Sequence, residues 1–137
     1  MVAYSFQPRF VDPIRTLAKR QTMRNWRRRH ARPGETVQLY TGLRTQRCRL
    51  IGTATCTRVS VVALDFVENV IVFVENVGVV GVSYIDMTDA LDWFARADGF
   101  ADWDDLRGWF ADTHDAVEKW SGVLIEWSDF RPATATS

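Results

Sequence analysis

Lys19 stands three residues before Thr22 and five before Arg24 in the run Leu17-Ala18-Lys19-Arg20-Gln21-Thr22-Met23-Arg24. An amine, a hydroxyl and guanidiniums held together do one of two things. They grip a phosphate, or they lower the lysine pKa from its ordinary ~10.4 until the amine can act as a base or nucleophile. Trp26-Arg27-Arg28-Arg29-His30 follows at once. Planar guanidiniums bind oxyanions bidentately and stay charged, and a tryptophan among them is suited to stacking on a base, which points to a nucleotide or a single strand. Arg20 belongs to the same cluster, Arg44, Arg47 and Arg49 extend the basic surface, and Tyr40 with Thr41 is expected to face the same cleft.

Charge distribution supports that direction. The net charge of zero hides a division after Arg58: residues 1–58 carry 13 Lys and Arg against two acids, and the remainder carries four against 15. A surface formed by the first part would attract polyanions, while the acidic part opposes precipitation.

The elements that must position these residues are legible as patterns. Phe10, Ile14 and Leu17 recur at helical spacing, with Asp12 available as a cap and Pro13 in the first turn, so a two-turn helix is expected to deliver Lys19 just past its end. Arg32-Pro33-Gly34-Glu35 reads as a turn, with Glu35 in a structural hydrogen-bonding role. Alternation then predicts strands around Val37–Tyr40, over 47–57 and 59–66, and again over 70–74 and 77–84. In the strand over 47–57, Cys48, Leu50, Gly52, Ala54 and Cys56 share one face, and the eight-residue separation of the two cysteines, roughly 26 Å at ~3.3 Å per residue, keeps them from pairing with each other. Thr88 and Asp102 read as caps of two helices, carrying Leu91 and Phe94, then Leu106, Trp109 and Phe110. A final strand over 123–127 closes the domain.

The chain is thus expected to form one α+β domain over 1–130, a small mixed β-barrel with peripheral helices, followed by a disordered tail over 131–137. It has no apolar run near the ~20 residues of a membrane span and no basic-then-apolar leader, so a cytoplasmic protein is expected. With no CxxC and only His30 and His114, no metal site is expected, and no cofactor. Asp102, Asp104 and Asp105 fit the first turn of a helix, where the dipole favours acids. His114 reads as a helix-terminal side chain.

Together these pieces resemble an ASCH domain, a member of the PUA-like barrels. The matching segments are Phe10 with its helix, Lys19-Arg20-Gln21-Thr22-Met23-Arg24, Pro33-Gly34-Glu35 leading to Val37-Gln38-Leu39, the 52–56 strand, Ala95-Arg96-Ala97-Asp98-Gly99-Phe100, and Gly122-Val123-Leu124-Ile125-Glu126-Trp127. The resemblance implies RNA binding. It also implies, from small bacterial members that remove the acetyl group of N(4)-acetylcytidine, a K-x-x-T-x-R pattern together with an acid before the late helix. Lys19, Thr22 and Arg24 match that pattern, and Asp98 is the matching acid, an aspartate where the enzymes carry glutamate. Three functions therefore stand as expectations. The first is nucleic-acid or nucleotide binding through Lys19, Arg20, Thr22, Arg24, Trp26, Arg27, Arg28, Arg29, Tyr40 and Arg47. The second is amidohydrolysis of N(4)-acetylcytidine or a related N-acyl nucleoside by Lys19, Thr22 and Asp98, and the third is ribonuclease action in the same cleft.

Overall fold

The computed structural model describes residues 2–76 and 80–134. Its elements follow the order β1 (Val2–Phe6), a 3-10 turn (Pro8–Phe10), α1 (Val11–Arg15), β2 (Gln21–Arg24), β3 (Thr36–Thr41), β4 (Arg49–Asp65), β5 (Val70–Asn76), β6 (Val80–Ile85), α2 (Thr88–Ala97), α3 (Trp103–His114) and β7 (Lys119–Pro132). This is a mixed α+β fold on one seven-stranded sheet.

β4 organises that sheet. The two stretches predicted over 47–57 and 59–66 are one 17-residue strand, rich in Val and Thr, whose branched side chains suit a pleated surface. β7 runs antiparallel along one edge of β4, from Gly52 opposite Pro132 to Asp65 opposite Lys119. The other edge is shared: its first part pairs with β3 and its last part with β5. β1 lies parallel to β3, and β6 extends β5 as the outermost strand. β2 pairs only with β7.

A bulge shifts the expected faces. Ile51 is the extra residue between the Leu39–Gly52 and Tyr40–Leu50 pairs, so Ile51 turns inward and Leu50 outward. Cys48 falls before the strand and is exposed, Cys56 is buried within it, and both thiols are free.

The sheet curves without closing, so the expected small barrel is not formed by backbone pairing. Two of its edge strands, β1 and β2, are joined instead by a side chain: the Arg24 guanidinium donates to the Ser5 carbonyl at 2.8 Å and lies over the Tyr4 and Phe6 rings. Phe6 meets Trp127 of β7 edge-on at 6.0 Å across the interior.

The first helix is shorter than its spacing predicts. α1 ends at Arg15, and Leu17 adopts a left-handed conformation (φ 69°) with its side chain 59% exposed, because the chain must reverse there for the Lys19 amide to bond the Pro13 carbonyl at 2.9 Å. Asp12 therefore lies inside the helix and Phe10 takes the cap position. Thr88 is likewise the first helical residue of α2, with Met87 before it and no side-chain cap. Asp102 does cap α3, accepting from the Asp105 amide at 2.8 Å.

α2 and α3 cover the β4–β5 face. Phe94 meets Phe73 at 5.6 Å, and Phe110 meets Phe66 at 5.8 Å. The β4–β5 turn is fixed by Asp65, whose side chain accepts the Val67 and Glu68 amides, and by Asn69 at φ 56°. The strand predicted over 77–84 falls partly outside the described residues, which show β6 from Val80. β7 runs past its expected end to Pro132, and Ala133 donates to the Ile51 carbonyl at 3.0 Å; residues 135–137 of the predicted tail lie outside the described residues. Among the described residues no helix is long and apolar enough to cross a membrane.

Since Arg24 is the bridge between β1 and β2, Arg24→Met should lower stability by about 1.5–3 kcal/mol, the usual worth of hydrogen bonds to a charged group. Amide exchange should rise first in β1 and β2. Thermal melting and native-state hydrogen exchange will show this, and unchanged protection at Phe6 would remove the bridge from the account.

Candidate functional site

Lys19 is the residue most constrained by its surroundings. Its backbone is tied to α1 through Pro13, and the next residue is tied twice: the Arg20 amide donates to Ala97 at the end of α2, and the Arg20 carbonyl accepts from the Trp127 amide of β7. These bonds thread the segment between a helix end and a strand. The α2 terminus then turns at Gly99 (φ 94°), where a Cβ would stand 2.9 Å from both Lys19 Cδ and Phe10 Cδ1. Glycine is required there twice, for the left-handed backbone and for the lysine stem lying against it.

The lysine head ends in a buried place. Lys19 is 2% exposed and Asp98 4%. Lys19 Nζ donates to the Asp98 carbonyl at 2.5 Å, stands 3.8 Å from Asp98 Oδ1, and lies 4.7 Å from the Phe10 ring centre and 5.4 Å from that of Phe6. Among the described residues no group lies within hydrogen-bond distance of Asp98 Oδ1, and the Lys19 and Gln21 side chains act on it from just beyond that reach. Beside them Thr22 Oγ1 accepts from Arg24 Nε at 3.0 Å, which leaves the Thr22 hydroxyl proton free to donate.

These groups line a cavity of about 210 Å³. Its floor is Lys19, Thr22, Arg24 and Asp98, its walls are Phe6, Phe10, Phe100, Trp109 and Phe110, and Ser5, Gln7, Met23, Asn25 and His114 complete it. Apolar walls around a few convergent polar groups are the usual make-up of a small-molecule site.

Burial sets the protonation of the floor. Desolvation carries the Lys19 amine down to about 8 against the opposing pull of Asp98, with Arg24 and Arg9 adding to the lowering. Desolvation likewise raises the Asp98 carboxyl to about 6, although Lys19, Gln21 and Arg24 favour its ionised form. Arg24 is carried down to about 10, again chiefly by burial, and remains a cation at neutral pH. His114 stacks on Phe110 at 4.9 Å, and burial with Arg24 nearby lowers its pKa, so it is mostly neutral at pH 7. An amine and an acid whose titrations approach neutrality from opposite sides make a proton-transfer pair.

The structure thus brings Lys19, Thr22, Arg24 and Asp98 into one cavity and leaves the other expected binding residues elsewhere. Arg20 lies over the ring of Trp93 at 4.9 Å. Arg27 covers Tyr4 and donates to the Arg29 carbonyl at 2.8 Å, and Arg29 is paired with Glu35 at 2.6 Å. Glu35 also accepts from the Arg32 amide, as a structural residue would. Trp26 is 59% exposed, and neither it nor Arg28 has a side-chain partner among the described residues. Tyr40 does not line the cavity, Arg47 and Thr41 line a separate groove with Pro8 and Cys48, and His30 is held between the Tyr4 hydroxyl and the Asn25 carbonyl.

Sequence reasoning missed the cavity walls. Trp109 and Phe110, which the sequence places on one helix with Leu106, and His114 at its end all face the cavity as well. Gln21 was missed as well: it is 3% exposed, influences Asp98, and its Nε2 lacks a partner. Among the described residues no cluster of His, Cys, Asp and Glu is arranged to hold a metal. Comparison with protein families, with curated proteins and with solved structures returned no match.

The same shifts fix how the site loads the fold. Lys19 titrates at about 8 when folded against 10.5 otherwise, so between those values the unfolded chain holds the extra proton and stability rises with pH. Asp98 titrates at about 6 against 3.8, so between those values the folded chain holds the extra proton and stability falls as pH rises. Both costs are fully present between about pH 6 and 8. The double variant Lys19→Met/Asp98→Asn should therefore melt at or above the parent at pH 7, with the difference narrowing below pH 6 and above pH 8. Asp98→Asn alone should lose roughly 3 kcal/mol by stranding the lysine. Calorimetry across pH checks both signs.

Proposed function

We propose that the Lys19 cavity hydrolyses the acyl amide of an N-acylated nucleoside, with N(4)-acetylcytidine the substrate that the ASCH resemblance implies. On this reading the curved sheet is a PUA-like barrel left open between β1 and β2. The observation that carries the proposal is the buried Asp98 carboxyl, whose Oδ1 has no group within hydrogen-bond distance among the described residues, beside a buried amine in an aromatic-walled cavity. Leaving such an atom unpaired costs stability, and a ligand N–H would satisfy it.

The chemistry follows from the floor. Neutral Lys19 takes a proton from water as the water oxygen bonds to the acyl carbon. The Thr22 hydroxyl donates to the developing oxyanion, and Arg24, fixed by Ser5 and Thr22, lies close enough to favour that charge. As the C–N bond breaks, its electron pair stays on the amine nitrogen, which receives the Asp98 proton. Amine and carboxylic acid leave, and the proton on Lys19 returns to Asp98. A direct lysine attack would yield an acyl-lysine amide as hard to cleave as the substrate, so Lys19 serves as the base. The form with neutral amine and protonated carboxyl holds the same number of protons as the ion pair, so the rate follows the population between the two titrations.

Incubation of the protein with N(4)-acetylcytidine, following cytidine release, tests the reading. kcat/KM should be bell-shaped with limbs near pH 6 and 8. Lys19→Ala and Asp98→Ala should each lose about 10²–10⁴-fold. Absence of turnover between about pH 6 and 9 would overturn it.

A second reading, nucleic-acid binding, is favoured by Trp26 and Arg28, both exposed and without a side-chain partner among the described residues. Trp26→Ala would then weaken an oligonucleotide titration at low salt. Ribonuclease action has less support, since both ring nitrogens of His30 are already engaged outside the cavity.

A further inference from the structure

β6 is held on one side only. Its inner edge pairs with β5 from Ile71 opposite Ile85 outward, and among the described residues no strand lies along its other edge. Residues 81–84 are exposed on both faces, with Val82 at 68% and Tyr84 at 66%. A strand this apolar, unburied on two faces and unpaired along one edge, is a template for another strand. The usual guards are missing: Val80–Ile85 contains no charge, no proline and no bulge, and Gly81 has open space where a Cβ would be.

We propose that this edge is the interface of a homodimer, formed by antiparallel pairing of β6 with β6 of a second copy in a register centred on Ser83. The choice of a second copy rests on self-complementarity. Centring on Ser83 sets Val82 opposite Tyr84 of the second copy and Tyr84 opposite Val82, a β-branched residue facing an aromatic one on the same face. Within one chain Tyr84 is already opposite Val72, and Val82 opposite Val74. The pairing thus continues each row without interruption, from Val72 through Tyr84 to Val82 and Val74 of the second copy, and the two-fold axis repeats it. Because the strand is uncharged, no like charges meet, and a self-paired edge is closed to further addition. The contact is narrow against the ~800 Å² per partner of a standard interface, so the dimer is expected to dissociate on dilution.

The dimer is independent of the chemistry assigned to the Lys19 cavity, and its test reads mass. Light scattering or sedimentation of the full chain at about 100 µM should give twice the 15.7 kDa protomer mass and fall toward it on dilution. Val82→Lys should remain at protomer mass while its circular dichroism and melting match the parent. In a Cys48→Ser background, Ser83→Cys should form an intermolecular disulfide on mild oxidation, and Val82→Cys, displaced from its own symmetry mate, should not. A parent at protomer mass, a Val82→Lys dimer, an open-ended polymer, or cross-linking at 82 in preference to 83 would each overturn the proposal.

Discussion

The central constraint on this protein is the removal of one amine and one carboxyl from water. Separating either charge from solvent is expensive, and their mutual attraction returns only part of that cost. The surrounding architecture holds them there regardless. Pro13 fixes the lysine backbone, Ala97 and Trp127 hold Arg20 from two sides, and Gly99 allows the lysine stem to lie against the end of α2. The Asp98 carbonyl, not only its carboxylate, receives the ammonium at close range. A helix end, a strand and a glycine turn therefore act as one fixture for a single side chain.

Arg24 links that fixture to the shape of the sheet. The guanidinium that joins β1 to β2 also fixes the Thr22 hydroxyl and stands near the buried pair. It stays charged where lysine would titrate, and its flat fork can serve two acceptors at once. Structure and site are thus coupled through one residue, and the aromatic rings on which it lies shield both.

How much of this was legible in the sequence differs by scale. The local signals held where a short-range rule governs: Asp102 caps its helix, Glu35 stabilises its turn, and Lys19 follows the first helix. They failed where a distant contact decides. Leu17 fits the helical period but leaves it, because the chain must reverse for Lys19 to reach Pro13. The β4 faces shift at Ile51 because the ladder with β3 takes an extra residue, which alternation cannot foresee. The run Arg27 to Arg29 has the composition of a phosphate clamp, yet Tyr4 and Glu35 occupy two of its members. Lys19, Thr22 and Arg24 were readable as a group through their spacing and Asp98 only through the family resemblance, whereas Trp109, Phe110 and His114 carry core-like spacing that conceals their second face.

The pairing of β2 with β7 alone has a temporal consequence. Lys19 and Asp98 are 79 residues apart, and the strand that follows Lys19 finds its only ladder in residues 123–126. On a chain emerging from its N-terminus, the first half can draw together β1, β3 and part of β4, yet the floor of the cavity has nothing to stand on until almost the last strand is made. The exposed arginines of the first half are present throughout synthesis, while the buried amine comes into being only at completion. The site therefore cannot be complete before β7 is in place, and it does not outlast β7's pairing with β2.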